Sequence, residues 1–248
     1  MLQHSGRSAT GWLCAALLSL LPNWGIAGGF SVSPTTLEFK ADQTAQGLRL
    51  HNSGERPINA QLRVFEWTQT NGEDVLTPSK SLVVSPPMAT LAPGQQQFVR
   101  VVRLDAKPRA VEGSYRLLID ELPPPAPPPG AQVSGLNFVV RFSVPVFITP
   151  ATSTPSSTRW SLQPTADGTL QLSGDNASAI HVQLADLRIL DASGGELYQQ
   201  NGLVGYVLGG TQRSWPLNSA PADLKNAKEI EARIDGQIRR QPLETSAR

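Results

Sequence analysis

Catalysis by proton transfer or through a metal draws mainly on histidine, cysteine and carboxylates, and this chain of 248 residues holds three His, one Cys and 20 Asp plus Glu. Neither His51 nor His181 has a second His, Asp or Glu at a spacing that would make a metal site, and His51 stands beside a turn signal. Asp120 and Glu121 are adjacent. Neighbours on a strand point to opposite faces, so the two would not act as acid and base on one substrate. No nucleophile elbow occurs, and the glycines of "GELYQQNGLVGYVLGG" (195–210) lack the strand-to-helix context of a nucleotide site. The sequence therefore predicts no enzyme, no catalytic residue, no metal and no cofactor.

What remains is the chemistry of an exposed backbone and its side chains, and one stretch concentrates it. After six prolines between 123 and 129, Leu136, Phe138, Val140, Phe142 and Val144 alternate with Asn137, Val139, Arg141, Ser143 and Pro145. Alternation alone gives the large residues to the protein's own core and the mixed face to solvent, the ordinary arrangement of an antiparallel strand. The prolines make a stiff connector that pairs poorly.

The N-terminal residues are read as an export signal. Arg7 precedes "WLCAALLSLL", an apolar run of about ten residues, and "WGIAGG" places Gly25 and Ala27 for cleavage after Ala27. The run is too short to cross a bilayer, so no membrane insertion is expected. Removing residues 1–27 takes away Cys14, the only cysteine, and leaves 20 basic residues against 20 acidic ones. A neutral exported chain without disulfides relies on its apolar core, and nothing in its charge points to nucleic acid.

The elements that must position the alternating stretch are strands. "LRLHNSG", "INAQLRVFEWTQTNGED" with its Asn-Gly turn, "QQFVRVVRL" after the "LAPG" turn, "SYRLLIDEL" and "LNFVVRFSVPVFI" contribute to about seven strands. That number fits an immunoglobulin-like sandwich. "ATSTPSST" after Pro150 reads as a polar linker. "TLQLSG", "HVQLADLRIL", "GYVLGG", "RSWPL" and "EIEARID" then suggest a second, smaller sandwich. The predicted layout is all-β, with a signal over 1–27, one domain over 28–150 and another over 151–248.

Five runs in order resemble the periplasmic chaperones of the chaperone–usher pathway, the PapD-like family. They are "FSVSPTTLEF", "LRLHNSGERPINAQLRVFEWTQ", "SLVVSPPMATLAPGQQQFVRVVR", "SYRLLIDELPPP" and "FVVRFSVPVF", with "GYVLGGTQRSWPL" further on. The "YRL" and "DELP" runs and "RFSVPVF" are similar to the archaic branch. The resemblance implies two immunoglobulin-like domains in a boomerang arrangement, located in the periplasm. Such a protein binds pilin or fimbrial subunits that lack a strand, lends them one of its own, and delivers them to an outer-membrane usher. It implies a donor strand at about 135–148, with Leu136, Phe138, Val140 and Phe142 entering the subunit.

The family's two basic carboxylate-binding positions align with Thr36 and Pro145, neither of them cationic. Arg116 and Arg141 are the candidate replacements, with Arg100 behind them. Glu121 aligns with an interdomain acid whose arginine partner corresponds to Thr149, leaving Arg159 and Arg188 as candidate substitutes. Pro86 and Pro87 align with a loop near the usher. The competing reading is an exported two-domain adhesion or structural module without chaperone activity, which would keep its last strand paired and its edges charged.

Overall fold

Short alternating runs joined by turn residues can bury one face each only by pairing into sheets, and the chain does so twice. The computed structural model describes residues 29–105, 109–123, 139–152, 157–166, 168–218 and 224–245. The signal segment 1–27 and the donor positions Leu136 and Phe138 lie outside the described residues.

The first half contains β1 (Phe30–Ser33), β2 (Leu37–Phe39), β3 (Ala45–Asn52), β4 (Ile58–Thr70), β5 (Glu73–Pro78), β6 (Leu82–Ser85), β7 (Met88–Leu91), β8 (Gln96–Arg103), β9 (Gly113–Leu122) and β10 (Arg141–Ile148). One sheet runs β1-β3-β8-β6. The other runs β2-β10-β9-β4-β5, with β7 also on β4. Their inner faces share one core: Leu48, Leu50, Val99 and Val101 from the first sheet meet Leu62, Leu117, Ile119 and Val146 from the second. The Asn-Gly turn joins β4 to β5 with positive φ at both Asn71 (54°) and Gly72 (77°), the pairing that a two-residue hairpin favours.

The second half contains β11 (Thr158–Pro164), β12 (Leu170–Asn176), β13 (Val182–Asp191), β14 (Glu196–Val207), β15 (Thr211–Pro216), β16 (Ala227–Ile234) and β17 (Gln237–Thr245). They follow the order β14-β13-β16-β17-β11-β12-β15. β17 turns the corner: it pairs with β16 up to Pro242 and with β11 from Leu243. Trp160, Leu184, Ile189, Ile230 and Leu243 fill the separate core so enclosed.

Of the strand expected over about 135–148, Arg141–Ile148 form β10, and positions 135–138 lie outside the described residues. Its later residues belong to the first core, since Val144, Val146 and Ile148 are buried there. The alternation rule that assigned the large face inward therefore holds for this half of the strand.

Candidate functional site

β10 is bordered unequally. Along one side it pairs with β9 over its whole length, Arg141 opposite Asp120 through Ile148 opposite Gly113. Along the other, β2 covers only Val146, Phe147 and Ile148. The Glu121 amide donates to the Val140 carbonyl at 2.9 Å, so even-numbered residues of β10 direct their peptide groups at β9. Odd-numbered residues face the other way, as the Thr149 amide shows by donating to Phe39. The N–H and C=O of Arg141 and Ser143 thus point to an edge that no described strand covers, and β2 pairing begins at Val146 opposite Leu37. Pro145 sits where its missing N–H costs no ladder bond.

Apolar side chains beside this edge are partly open. Val140 is 39 % exposed and Val139 53 %. Phe142 packs part-buried on the core, its ring edge-on to Phe30 at 5.3 Å.

The sheet face carrying the odd residues of β10 also carries Arg116, directly opposite Pro145 on β9 and next to Phe65 on β4. The Arg116 guanidinium lies 3.7 Å over the Trp67 ring and 5.3 Å from that of Tyr206. Burial pulls its pKa below the ordinary arginine value, with Tyr206 and the Asp74 carboxylate opposing that effect. It makes no ion pair among the described residues. The aromatic faces hold the cation and leave its donors available to an anion.

Arg141 is placed differently. It bonds Asp120, which also accepts from Arg63 at 2.7 Å. Burial alone would raise the Asp120 pKa, but the hydrogen bonds from Arg63 and Arg141 outweigh it and hold the carboxyl below its ordinary value. Four residues of strand, about 13 Å, separate the Arg141 and Arg116 positions. The two arginines share a face without converging.

Glu121 does not reach the second domain. Its carboxylate accepts the Val140 amide at 3.1 Å, at the end of β9 remote from the interdomain contact. Arg159 pairs with Asp175, and Arg188 with Glu196 and Glu231, all inside the second domain. Glu112, just before β9, does cross, as Glu73 and Asp74 do toward Arg213. It accepts the His181 backbone amide at 2.9 Å and meets the ring Nδ1 at 2.7 Å, while that ring stacks on Phe147 at 3.6 Å. Sequence reading missed it because nothing in the run shows which end of β9 meets the second domain.

Gln69 was missed too. Its amide nitrogen donates to Asp74 and to the Tyr206 carbonyl, and its oxygen accepts from Leu208 N and Thr211 Oγ1. Thr36 is half-buried before β2, Pro86 is half-buried and Pro87 exposed. The Pro87 carbonyl accepts the Leu62 amide at 2.8 Å. Among the described residues no three His, Cys, Asp or Glu side chains converge as a metal site.

Comparison with protein families matches residues 29–154 to the pili and flagellar-assembly chaperone family, PapD N-terminal domain. The chain belongs to that family. Comparison with curated proteins finds no match. Among solved structures, this chaperone is similar to a chain of the CsuC–CsuE chaperone–tip adhesion subunit pre-assembly complex, from the archaic chaperone–usher Csu pili of Acinetobacter baumannii. There the TM-score is 0.67 at 22% identity, covering 88% of this chain and 99% of that one. It is similar to the E. coli chaperone DraB, with TM-score 0.58 at 18% identity, covering 88% and 97%. It is also similar to a chain of the Salmonella enterica SafA pilin–SafB chaperone complex, with TM-score 0.58 at 20% identity, covering 87% and 95%. The chaperone shares with them an all-β, two-domain immunoglobulin-like fold.

Proposed function

We propose that this chaperone acts in the periplasm, lends β10 and the residues before it to an incomplete pilin subunit, and passes the complex to an outer-membrane usher. The observation that carries the reading is the uncovered edge of β10 at Arg141 and Ser143, flanked by the part-exposed Val140 and Phe142. A subunit short of one strand exposes an unpaired edge and an apolar groove. An added strand satisfies the edge with main-chain bonds and the groove with alternate side chains. Leu136, Phe138, Val140 and Phe142 are the groove-filling set in this reading. Burying four such side chains at about 1.5 to 3 kcal/mol each gives roughly 6 to 12 kcal/mol before the costs of association. The N-terminal run read in the sequence as an export signal and the subunit complexes among the similar structures support the compartment and the kind of partner.

Within this reading Arg116 takes the subunit's terminal carboxylate. It is the unpaired cation on the same face as the open edge, whereas Arg141 is already bound to Asp120. Co-purification from cells expressing the pilins tests both assignments. The Phe138→Glu, Val140→Glu double variant folds and loses its subunit; a folded variant that still brings down a full complement of subunit would sink the donor assignment. Arg116→Ala weakens the complex by about tenfold or more, and Arg141→Ala changes it much less. The reverse ranking would move the anchor to Arg141.

A further inference from the structure

The four-stranded sheet carries a second surface, on the opposite side of the first domain from β10. Its strands, FSVS, AQGLRLHN, LVVS and QQFVRVVR, contain no Asp or Glu. The other sheet of the domain holds Glu38, Glu66, Glu73, Asp74, Asp120 and Glu121. The acid-free sheet turns Arg49 and Arg100 outward, both exposed, and neither has an ion pair or hydrogen-bonded side-chain partner among the described residues. Most other arginines do: Arg63 and Arg141 bind Asp120, Arg159 binds Asp175, Arg188 and Arg240 bind Glu231, and Arg233 binds Asp186.

Between the two free cations stands Phe98, 55 % exposed. It is directly opposite Arg49 on β3 and two residues before Arg100 on β8. Its ring is seated rather than loose. A Cβ at Gly47 would come within 2.2 Å of the Phe98 Cζ, so only glycine leaves room for the ring to lie across β3. Val83, 41 % exposed, and the half-buried Val102 face each other across β6 and β8 and continue the apolar centre. An aromatic fixed on a glycine and flanked by unpaired guanidinium groups is suited to an apolar side chain with carboxylates on either side.

We propose that this face docks an extended acidic segment of a protein partner, in which an apolar residue lies between two carboxylates on one face. The side chains that carry it are Arg49, Phe98 and Arg100. The surface is distinct from the β10 edge and does not rest on the strand-lending reading. Two exposed cations are too few to hold an anionic bilayer, where each basic residue adds only a small increment, and this favours a protein segment.

The test is a backbone amide NMR titration of the full mature chain with a short peptide bearing Glu-Thr-Leu-Thr-Glu, and with its Lys-Thr-Leu-Thr-Lys counterpart. The acidic peptide shifts the amides around Gly47, Arg49, Phe98 and Arg100, and the effect fades as salt is raised. An Arg49→Glu, Arg100→Glu variant, with its fold checked by amide dispersion, binds it about tenfold more weakly or worse. Phe98→Gln, which keeps both charges, weakens it as well. The proposal is overturned by absence of shifts on this face, by equal binding of the lysine peptide, or by an undiminished response in the arginine variant. Binding of phosphatidylglycerol vesicles through Phe98, with the peptide inert, overturns it in favour of a membrane.

Discussion

At the scale of single residues, the first domain holds an aspartate between two arginines, and that arrangement gives the domain a pH-dependent contribution to stability. The Asp120 side chain is only 12 % exposed, whereas Arg63 and Arg141 are 45 % and 63 % exposed. The carboxylate is therefore the desolvated member, and solvent screens both partners. Its pKa in the folded chain lies below the ordinary value because the two guanidinium hydrogen bonds outweigh burial. A group whose folded pKa is depressed stabilises the fold above its unfolded pKa, about 3.9 for aspartate, and loses that contribution as pH falls through the folded value. Asp120→Asn removes the charge at every pH. We expect it to cost about 1 kcal/mol near pH 7, the screened end of the range for such hydrogen bonds, and to cost less at pH 2. Urea midpoints of the parent and variant at both values check this. A gap between them that stays constant across that range would show that the triad adds no charge-dependent stability. Arg116, by contrast, lies over two rings, feels the Asp74 carboxylate only from a distance and makes no ion pair among the described residues.

At the scale of the element, β10 has two sides with opposite obligations, and proline scanning separates them. The Phe142 amide points at β9 and the Ser143 amide at the uncovered edge, as the bonds of Val140 and Thr149 indicate. Proline at 142 deletes a ladder bond and is expected to destabilise the domain by about 3 kcal/mol or more. Proline at 143 deletes no internal bond and lowers the thermal midpoint far less, as the native Pro145 does on the same edge. If the two variants melted together, the peptide groups of β10 would be oriented otherwise. Alternation made β3, β4, β9 and β10 legible in the sequence, and Asn71-Gly72 marked its hairpin. It did not reveal β5, which is exposed at every position, or β17, whose two arginines and Pro242 obscure the strand pattern. Nor did it reveal that Trp67, on the non-core face of β4, is only 2 % exposed. A second domain covers that face, and no period within β4 records it. The edge of β10 was unreadable for a related reason: alternation assigns side chains to faces but does not say which peptide groups lack a neighbour.

At the scale of the whole molecule, the two sandwiches keep separate cores and share a third, smaller one made by Trp67 and Phe147 from the first and Tyr206 and Leu208 from the second. Polar contacts fasten its rim. The Gly72 carbonyl accepts the Ser214 amide at 3.1 Å, and Arg213 meets Glu73 and Asp74. Glu112 and His181 close the other side, where the His181 ring lies on Phe147 at the end of β10. The strand with the uncovered edge is thus tied at its far end to the second domain, so loosening the contact should free β10 as well. Gln69 is the most exacting member, because it is 8 % exposed and satisfies Tyr206 O, Leu208 N and Thr211 Oγ1 at once. Gln69→Ala strands the first two of these as buried, unpaired backbone groups, each at about 1 to 3 kcal/mol. The loss falls on the contact between the domains rather than on either core. Calorimetry of the parent should therefore give one cooperative transition, and that of the variant two, with the first domain melting at a lower temperature than in the parent. Small-angle scattering of the variant below its first transition should show a wider spread of interdomain distances. A single transition shifted only in temperature would mean that the shared apolar cluster, and not the Gln69 bonds, couples the domains; in that case Trp67→Ala would be the variant that separates them.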